Sequence, residues 1–435
     1  MSLNGQSSSD RDSSVWSAAR SSALLTGSRV LSALAVNKII AAYLGPSGLA
    51  LVGQFQNFTG IVFGLANGNA SNATIVSVAG AAGEAELRRV ISTATALVVL
   101  TTGFMALCVS LAADFLATKV MGDAGLASVL HVLSLLMIPL ILNVVLLAIV
   151  AGLGGSRAFV AINAGIAFLT VPVCWALVAT RGIEGGLLAA VLVNGAAVGL
   201  TGYWIWKRRL FPLRWLFDGP DNSVARRVVR LAGMTLSTII GIPLAQLFVR
   251  QELVHGFGTA TAGQWQAALK VGEVLLLGAS VVVSLYFLPK FARTGAAEMP
   301  RAGFRASVQM LLVTGIAAVV IGALGTTIIP VLFARSFLEA TALLPVQLAG
   351  DVVRAATTVL QATFLANGRT AAYVSVDAVY ALSMVGVARL SIESHGTAGA
   401  VSAVLVASVA SCLAAAVFLG SSARGKGSRA WNVLA

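Results

Sequence analysis

Long apolar runs follow one another from residue 15 to residue 420, and only a few polar, glycine or proline residues separate them. A helix crosses the bilayer core with roughly 20 apolar residues. The runs cover 15–43, 47–79, 89–113, 126–151, 156–180 and 185–206, then 225–253, 260–288, 303–334, 341–366, 370–392 and 397–420. Lipid offers unpaired backbone groups no partner, and the alternation a barrel strand needs is absent, so each run is expected to be a helix. Charged residues make up 10% of the chain, against about 25% in soluble proteins, and the mean hydropathy is +0.91. A soluble globular protein, a secreted disulfide scaffold and a disordered chain are thereby excluded. The fold class expected is an all-α polytopic membrane protein with about twelve transmembrane helices.

The net charge of +13 does not point to nucleic acid, because most bases sit in short segments between the runs. With the N-terminus inside, the cytoplasmic segments hold 18 Lys and Arg, including Arg88, Arg89, Lys207, Arg208, Arg209 and Arg214. The outer side holds five, Lys119, Arg181, Arg250, Arg335 and Arg389. That asymmetry is the positive-inside pattern. Residues 1–14 read as a disordered cytoplasmic tail without the apolar core of a signal peptide, and 421–435 as a second cytoplasmic tail.

The chain echoes itself. Gly53-Gln54-Phe55-Gln56 returns 210 residues later as Gly263-Gln264-Trp265-Gln266, and Arg20 matches Arg230 at the same offset. Arg181-Gly182-Ile183-Glu184-Gly185 is answered 214 residues on by His395-Gly396-Thr397-Ala398-Gly399. The echoes predict two six-helix lobes, 15–206 and 225–420, of one orientation and related by an axis along the membrane normal. A cytoplasmic linker, 207–224, joins them.

Catalytic and metal chemistry find no support in the pattern. Cys108, Cys174 and Cys412 each lie within an apolar run, and His131, His255 and His395 are scattered. There is no Cys-x-x-Cys pair, no nucleophile–base arrangement and no ligand set, so no cofactor is expected.

Polar residues inside the runs carry the functional signal. At 100° per residue, Gln347, Asp351, Arg354, Thr358 and Gln361 fall within about 80° of one another on the tenth run. Gln266, Lys270, Glu273, Ser280 and Ser284 form a stripe on the eighth, Tyr373, Asp377 and Tyr380 on the eleventh, and Gln54, Asn57, Asn69 and Asn72 on the second. Such stripes suit a shared wet cavity. Neutral polar residues more often hold membrane helices together, whereas function is the default reading of a charge at mid-membrane. Lys270 with Glu273, and Asp351 with Arg354, are also spaced to neutralise each other.

Arg29 lies ~21 Å from either end of its run, too deep to snorkel easily. Lys38 and Arg20 sit nearer the interfaces, about 180° around the helix from it. Arg29, Lys270 and Arg354 suit an anion, and arginine's planar fork suits phosphate. Asn69 and Gln266 suit sugar hydroxyls. Glu273, Asp351 and Asp377 are candidate titrating acids, or ligands for Na⁺.

Several segments are similar to the Wzx-type flippases of the multidrug/oligosaccharidyl-lipid/polysaccharide (MOP) exporter superfamily. They are Asn37-Lys38, Tyr43-Leu44-Gly45-Pro46-Ser47-Gly48-Leu49, Gly263-Gln264-Trp265-Gln266, Tyr286-Phe287-Leu288-Pro289 and Gln347-Leu348-Ala349-Gly350-Asp351-Val352-Val353. The resemblance is closest to the branch that moves the enterobacterial common antigen lipid-linked trisaccharide, and it spans essentially the whole chain. It implies two V-shaped lobes, a bacterial inner-membrane location and alternating access. It also implies that an undecaprenyl-diphosphate-linked oligosaccharide is turned to the periplasmic leaflet for O-antigen, common antigen or exopolysaccharide assembly. The bases expected to meet the diphosphate are Arg29, Lys38 and Arg354. Glu273 stands where the relatives carry Asp, and Lys270 where they carry a small neutral residue. A polysaccharide polymerase and a chain-length regulator are the implied partners, besides membrane lipid, of a chain expected to act as a monomer. Three other readings compete. A cation-coupled drug exporter of the same fold would want an acidic cavity. A membrane polymerase or ligase would carry large periplasmic loops. The lipid II flippase normally has two extra helices.

Overall fold

The computed structural model describes residues 8–67, 70–222, 225, 236–292, 294–295 and 298–423. Among them, eight helical stretches are long and apolar enough to cross a membrane: Thr26–Asn67, Glu84–Leu111, Ala124–Gly152, Ala158–Ala189, Ile239–Val282, Met299–Ala323, Arg335–Ala366 and Thr370–Ser421. Four of these contain a single non-helical residue, always glycine: Gly45, Gly182, Gly258 and Gly396. Each glycine divides a stretch into two limbs, and the limbs and unbroken stretches together number twelve.

The breaks explain how helices this long fit a bilayer. All four glycines have φ between 54° and 85°, a region costly for residues with a Cβ. At Gly396 the chain folds back: the Ser391 hydroxyl donates to the Gly399 carbonyl at 3.2 Å. Residues eight apart on a straight helix would be ~12 Å apart along its axis. The breaks also repeat. Gly258 follows Gly45 by 213 residues, and the pair has ψ of 169° and −164°. Gly396 follows Gly182 by 214, with ψ of −127° and −131°. The echo read in the sequence is thus also an echo of backbone conformation. All four lie in gaps between the runs read as separate helices.

Packing divides the chain into two compact units, one comprising Met1–Ile39 and Phe63–Gly233, the other Ile40–Val62 and Met234–Ala435. The division departs from the linear split expected near residue 206, because 40–62 packs with the C-terminal helices. One reason is a glycine crossing. A Cβ on Gly263 would lie 2.8 Å from the Pro46 Cα, and one on Gly53 would overlap the Gln266 amide. The Thr259 hydroxyl donates to that of Ser47 at 3.0 Å. The first helix begins at Ser8, within the segment expected as a disordered tail.

Each unit has its own apolar interior. In the first, Leu147, Ile162, Ile166, Val193 and Ala197 pack together. In the second, Phe287, Phe291, Met310, Val359, Phe364 and Leu419 do so. Between lipid-soluble helices, close packing and hydrogen bonds replace the hydrophobic drive available in water.

Candidate functional site

In the first unit the charge farthest from the ends of its apolar run is Arg29. Its Nη2 donates to Asn163 Oδ1 at 2.8 Å, and Asn163 in turn donates through Nδ2 to the Phe159 carbonyl at 2.8 Å. The Ser32 hydroxyl, one turn on, donates to the Ala167 carbonyl. Arg29 is therefore tied to the helix starting at Ser156 by a neutral partner. It remains exposed, and no ion pair among the described residues includes it. Its fork keeps donors for a second, anionic partner. Lys38 lies farther along the same limb, half-buried. Asn69 lies outside the described residues.

The second unit holds the remaining candidates. The stripe on helix Leu344–Ala366 is buried against its neighbours, and two of its charges have opposite fates. Arg354 turns to the adjacent helix, where Nη2 meets Asp377 Oδ1 at 3.0 Å. Its guanidinium lies 4.2 Å from the Tyr380 ring centroid, a cation–π contact. Gln361 Nε2 donates to the same Asp377 oxygen at 2.9 Å. The pairing of Arg354 with Asp351 allowed by their spacing is not the one made. Residues three apart on a helix share a face, but the second helix brings Asp377 closer to the guanidinium.

Asp351 is left with neutral company. Its Oδ2 accepts from Gln347 Nε2 at 3.0 Å, and no ion pair among the described residues includes it. The carboxylate fills the space over Gly272, where an added Cβ would stand 2.7 Å from its Cγ. Gly272 is thus required by close approach. Glu273 follows it on the chain, so two acids share this neighbourhood. Lys270 is engaged locally, with Nζ 2.8 Å from Glu273 Oε2. That is the neutralising pair its spacing allowed.

Gln266 is buried, and its Oε1 accepts from Arg250 Nη2. Arg250 corrects an expectation: counted with the outer-face bases, it is instead fully buried. Its guanidinium lies 5.6 Å from the Trp265 ring centroid, and Nε and Nη1 have no hydrogen-bond partner among the described residues. Sequence reasoning missed it because Arg250 stands near the end of its run, where a base normally snorkels. The signal was its company, since Gly263-Gln264-Trp265-Gln266 supplies the aromatic face and the amide that receive it. Among the described residues the second unit holds three ion pairs, Arg354–Asp377, Lys270–Glu273 and Arg389–Glu252, a buried arginine on a neutral partner, and a buried acid, Asp351, in no ion pair.

No protein-family model matches the chain. It is 25% identical over 395 residues to the lipid III flippase of Escherichia coli (strain K12), a match covering 90% of this chain and 93% of that protein. The lipid III flippase of Shigella flexneri gives the same figures. Among solved structures it is similar to a multidrug resistance MATE family transporter of the MOP superfamily in an inward-facing conformation. The TM-score is 0.76 at 16% identity, covering 92% of this chain and 96% of that one. The fold is that of the MOP superfamily transporters, and both comparisons agree with the resemblance drawn from the motifs.

Proposed function

We propose that this protein is a flippase that turns a lipid-linked oligosaccharide across the bacterial inner membrane. The observation that carries the reading is the match to lipid III flippases along nine-tenths of both chains. A transporter fold over 92% of the chain supports it. The cargo is an undecaprenyl-diphosphate-linked oligosaccharide, moved by alternating access from the cytoplasmic to the periplasmic leaflet. The termini and the 207–224 linker lie in the cytoplasm. The product feeds surface-polysaccharide assembly, where a polymerase and a chain-length regulator would act on it, and the working unit is a monomer.

In this account Arg29 grips the diphosphate. Its neutral tie to Asn163 orients the guanidinium without cancelling its charge, and the planar fork matches phosphate oxygens. Lys38 adds a second positive charge on the same limb. Asp351, buried without a cation, takes up and releases the proton that drives the cycle. The Arg354–Asp377 pair shapes the helices around it rather than meeting cargo. A drug exporter of the same fold would present acids to a cationic substrate, and Arg29, the exposed mid-run charge of the first unit, is instead a base.

The test is a strain lacking the gene. Lipid-linked oligosaccharide should accumulate on the cytoplasmic face and clear when the gene is restored. Unchanged distribution in the deletion strain, with altered resistance to cationic drugs, would replace this reading with the exporter.

A further inference from the structure

Within the first unit, the end of helix Ser156–Arg208 and the turn that follows form the walls of an open cavity of about 520 Å³. Its lining is Trp206, Lys207, Arg209, Phe211, Pro212 and Leu213. The chain is shaped to make it. Arg209 takes a left-handed conformation, φ 50°, which stops the helix and turns the backbone across its end. The Arg209 N–H donates to the Trp206 carbonyl at 3.2 Å and the Leu210 N–H to the Ile205 carbonyl at 3.3 Å. The helix end therefore caps part of its own negative pole. Phe211 and Trp215, both buried and stacked with centroids 6.3 Å apart, pin the turn down.

The charge here is one-sided. Lys207, Arg208, Arg209 and Arg214 fall within eight residues, and no ion pair among the described residues includes any of them. The nearby acids are engaged elsewhere: Asp218 meets Arg88 at 2.6 Å and Asp221 meets Arg89 at 3.9 Å. Around the cations stand exposed aromatic side chains. Tyr203 is 54% exposed, Trp206 65% and Phe217 85%, and Lys207 Nζ lies 5.8 Å from the Tyr203 ring centroid. Exposed Trp and Tyr at a helix end mark the headgroup level of a bilayer. Basic pockets at that level hold anionic headgroups.

We propose that this cavity binds the headgroup of an anionic membrane phospholipid. The phosphodiester sits between the Lys207 ammonium and the Arg209 guanidinium, and the acyl chains run along Tyr203, Trp206 and Leu213. A prenyl diphosphate offers the same phosphate-and-tail chemistry. The phospholipid is favoured because the aromatic side chains flanking the cations are exposed, at the level where the surrounding bilayer's headgroups stand. The site is independent of the cargo reading.

The full chain in nanodiscs tests it through fluorescence. Bromine on the acyl chains quenches nearby tryptophan, and the Trp206 share is the difference between the native protein and Trp206→Phe. Brominated phosphatidylglycerol should quench that share about fivefold more than brominated phosphatidylcholine at the same mole fraction, the enrichment expected of one cation's attraction to an anionic lipid. In Lys207→Gln/Arg209→Gln the ratio should fall to about one by the same reasoning. Farnesyl diphosphate added at an equal mole fraction should leave the quenching in place. Equal quenching by the two lipids, a ratio unchanged in the double variant, or relief by farnesyl diphosphate would each overturn the assignment. If the double variant fails to fold, the native ratio decides alone.

Discussion

The charges inside the two units are organised on different principles. In the first, Arg29 is a base held by an amide and left exposed, with no acid against it. In the second, Arg354 and Lys270 are each answered by an acid, Asp377 and Glu273, Arg250 is a fully buried base on a neutral amide, and Asp351 is a buried acid in no ion pair among the described residues. A buried pair is a structural device whose charges cancel. Under the proposed function, an exposed charge on a neutral partner keeps its reach for an anion, as at Arg29, and a buried acid outside any ion pair is assigned the proton, as at Asp351. On that proposal the paired residues build the site and Arg29 and Asp351 use it, although Asp351, Arg354, Asp377, Lys270 and Glu273 all lie on polar stripes of similar appearance.

The largest effect should come from breaking the cancelled pair on one side. Asp377→Asn leaves the Arg354 cation buried without its counter-ion and should cost about 3–5 kcal/mol, read as lost thermal stability in detergent. Arg354→Gln/Asp377→Asn should recover most of that loss. Arg354→Gln/Asp351→Asn should not, because those two residues do not pair. The opposite ranking would restore the same-helix pairing and erase the contrast between the units.

Next come the unpaired charges, which should affect transport and spare the fold. Arg29→Ala should abolish flipping at normal membrane abundance, and Arg29→Lys, which keeps charge but loses the fork, should be partly defective. Asp351→Asn keeps size and should also abolish coupled transport while the protein stays folded. Unimpaired flipping by a well-expressed Arg29→Ala protein would remove the diphosphate role.

A smaller loss is expected at the notch beneath Asp351. Gly272→Ala places a methyl where the carboxylate sits, and should slow transport through displacement of Asp351. Gly278→Ala serves as the control, since nothing lies within 4 Å of a Cβ there. Equal rates for the two variants would show that the position of Asp351 is immaterial.

The smallest effect concerns the linker. The Arg88 guanidinium, hydrogen-bonded to Asp218, holds its carboxyl below the usual carboxylate range. A depressed acid contributes stability above its unfolded-state value and loses it as pH falls through the folded one. The Trp215 fluorescence of a variant keeping only that tryptophan should therefore hold steady down to the ordinary carboxylate range and change below it. Asp218→Asn should remove this acid step. A step unaltered in that variant would assign it to another group.

Much of this architecture was legible in the residues. Apolar runs of bilayer length could only be helices, and the gaps at 44–46, 181–184, 254–259 and 393–396 held the glycines that break them. The conformational match between Gly182 and Gly396 was foreshadowed by the echo at the same 214-residue offset, whereas Gly45 and Gly258, 213 apart, stood outside the echoed segments. Partner choice was not legible. Helical spacing ranks neighbours on one helix, yet Arg354 found Asp377 on another, and only packing brings that acid within 3.0 Å. Arg250 was misread for the same reason, since distance along a helix says nothing of what surrounds it. The grouping of 40–62 with the C-terminal helices follows from glycine contacts between segments more than 200 residues apart, which no local pattern reports.

The most direct test of the account is flipping by the purified protein. A fluorescent prenyl-diphosphate oligosaccharide is placed in proteoliposomes, and its arrival in the outer leaflet is followed with a membrane-impermeant quencher. The account predicts first-order exposure with the native protein and none above the protein-free rate with Arg29→Ala or Asp351→Asn, while Arg354→Gln/Asp377→Asn stays active. Exposure no faster than in protein-free vesicles, from native protein that moves a cationic dye in the same vesicles, would contradict it.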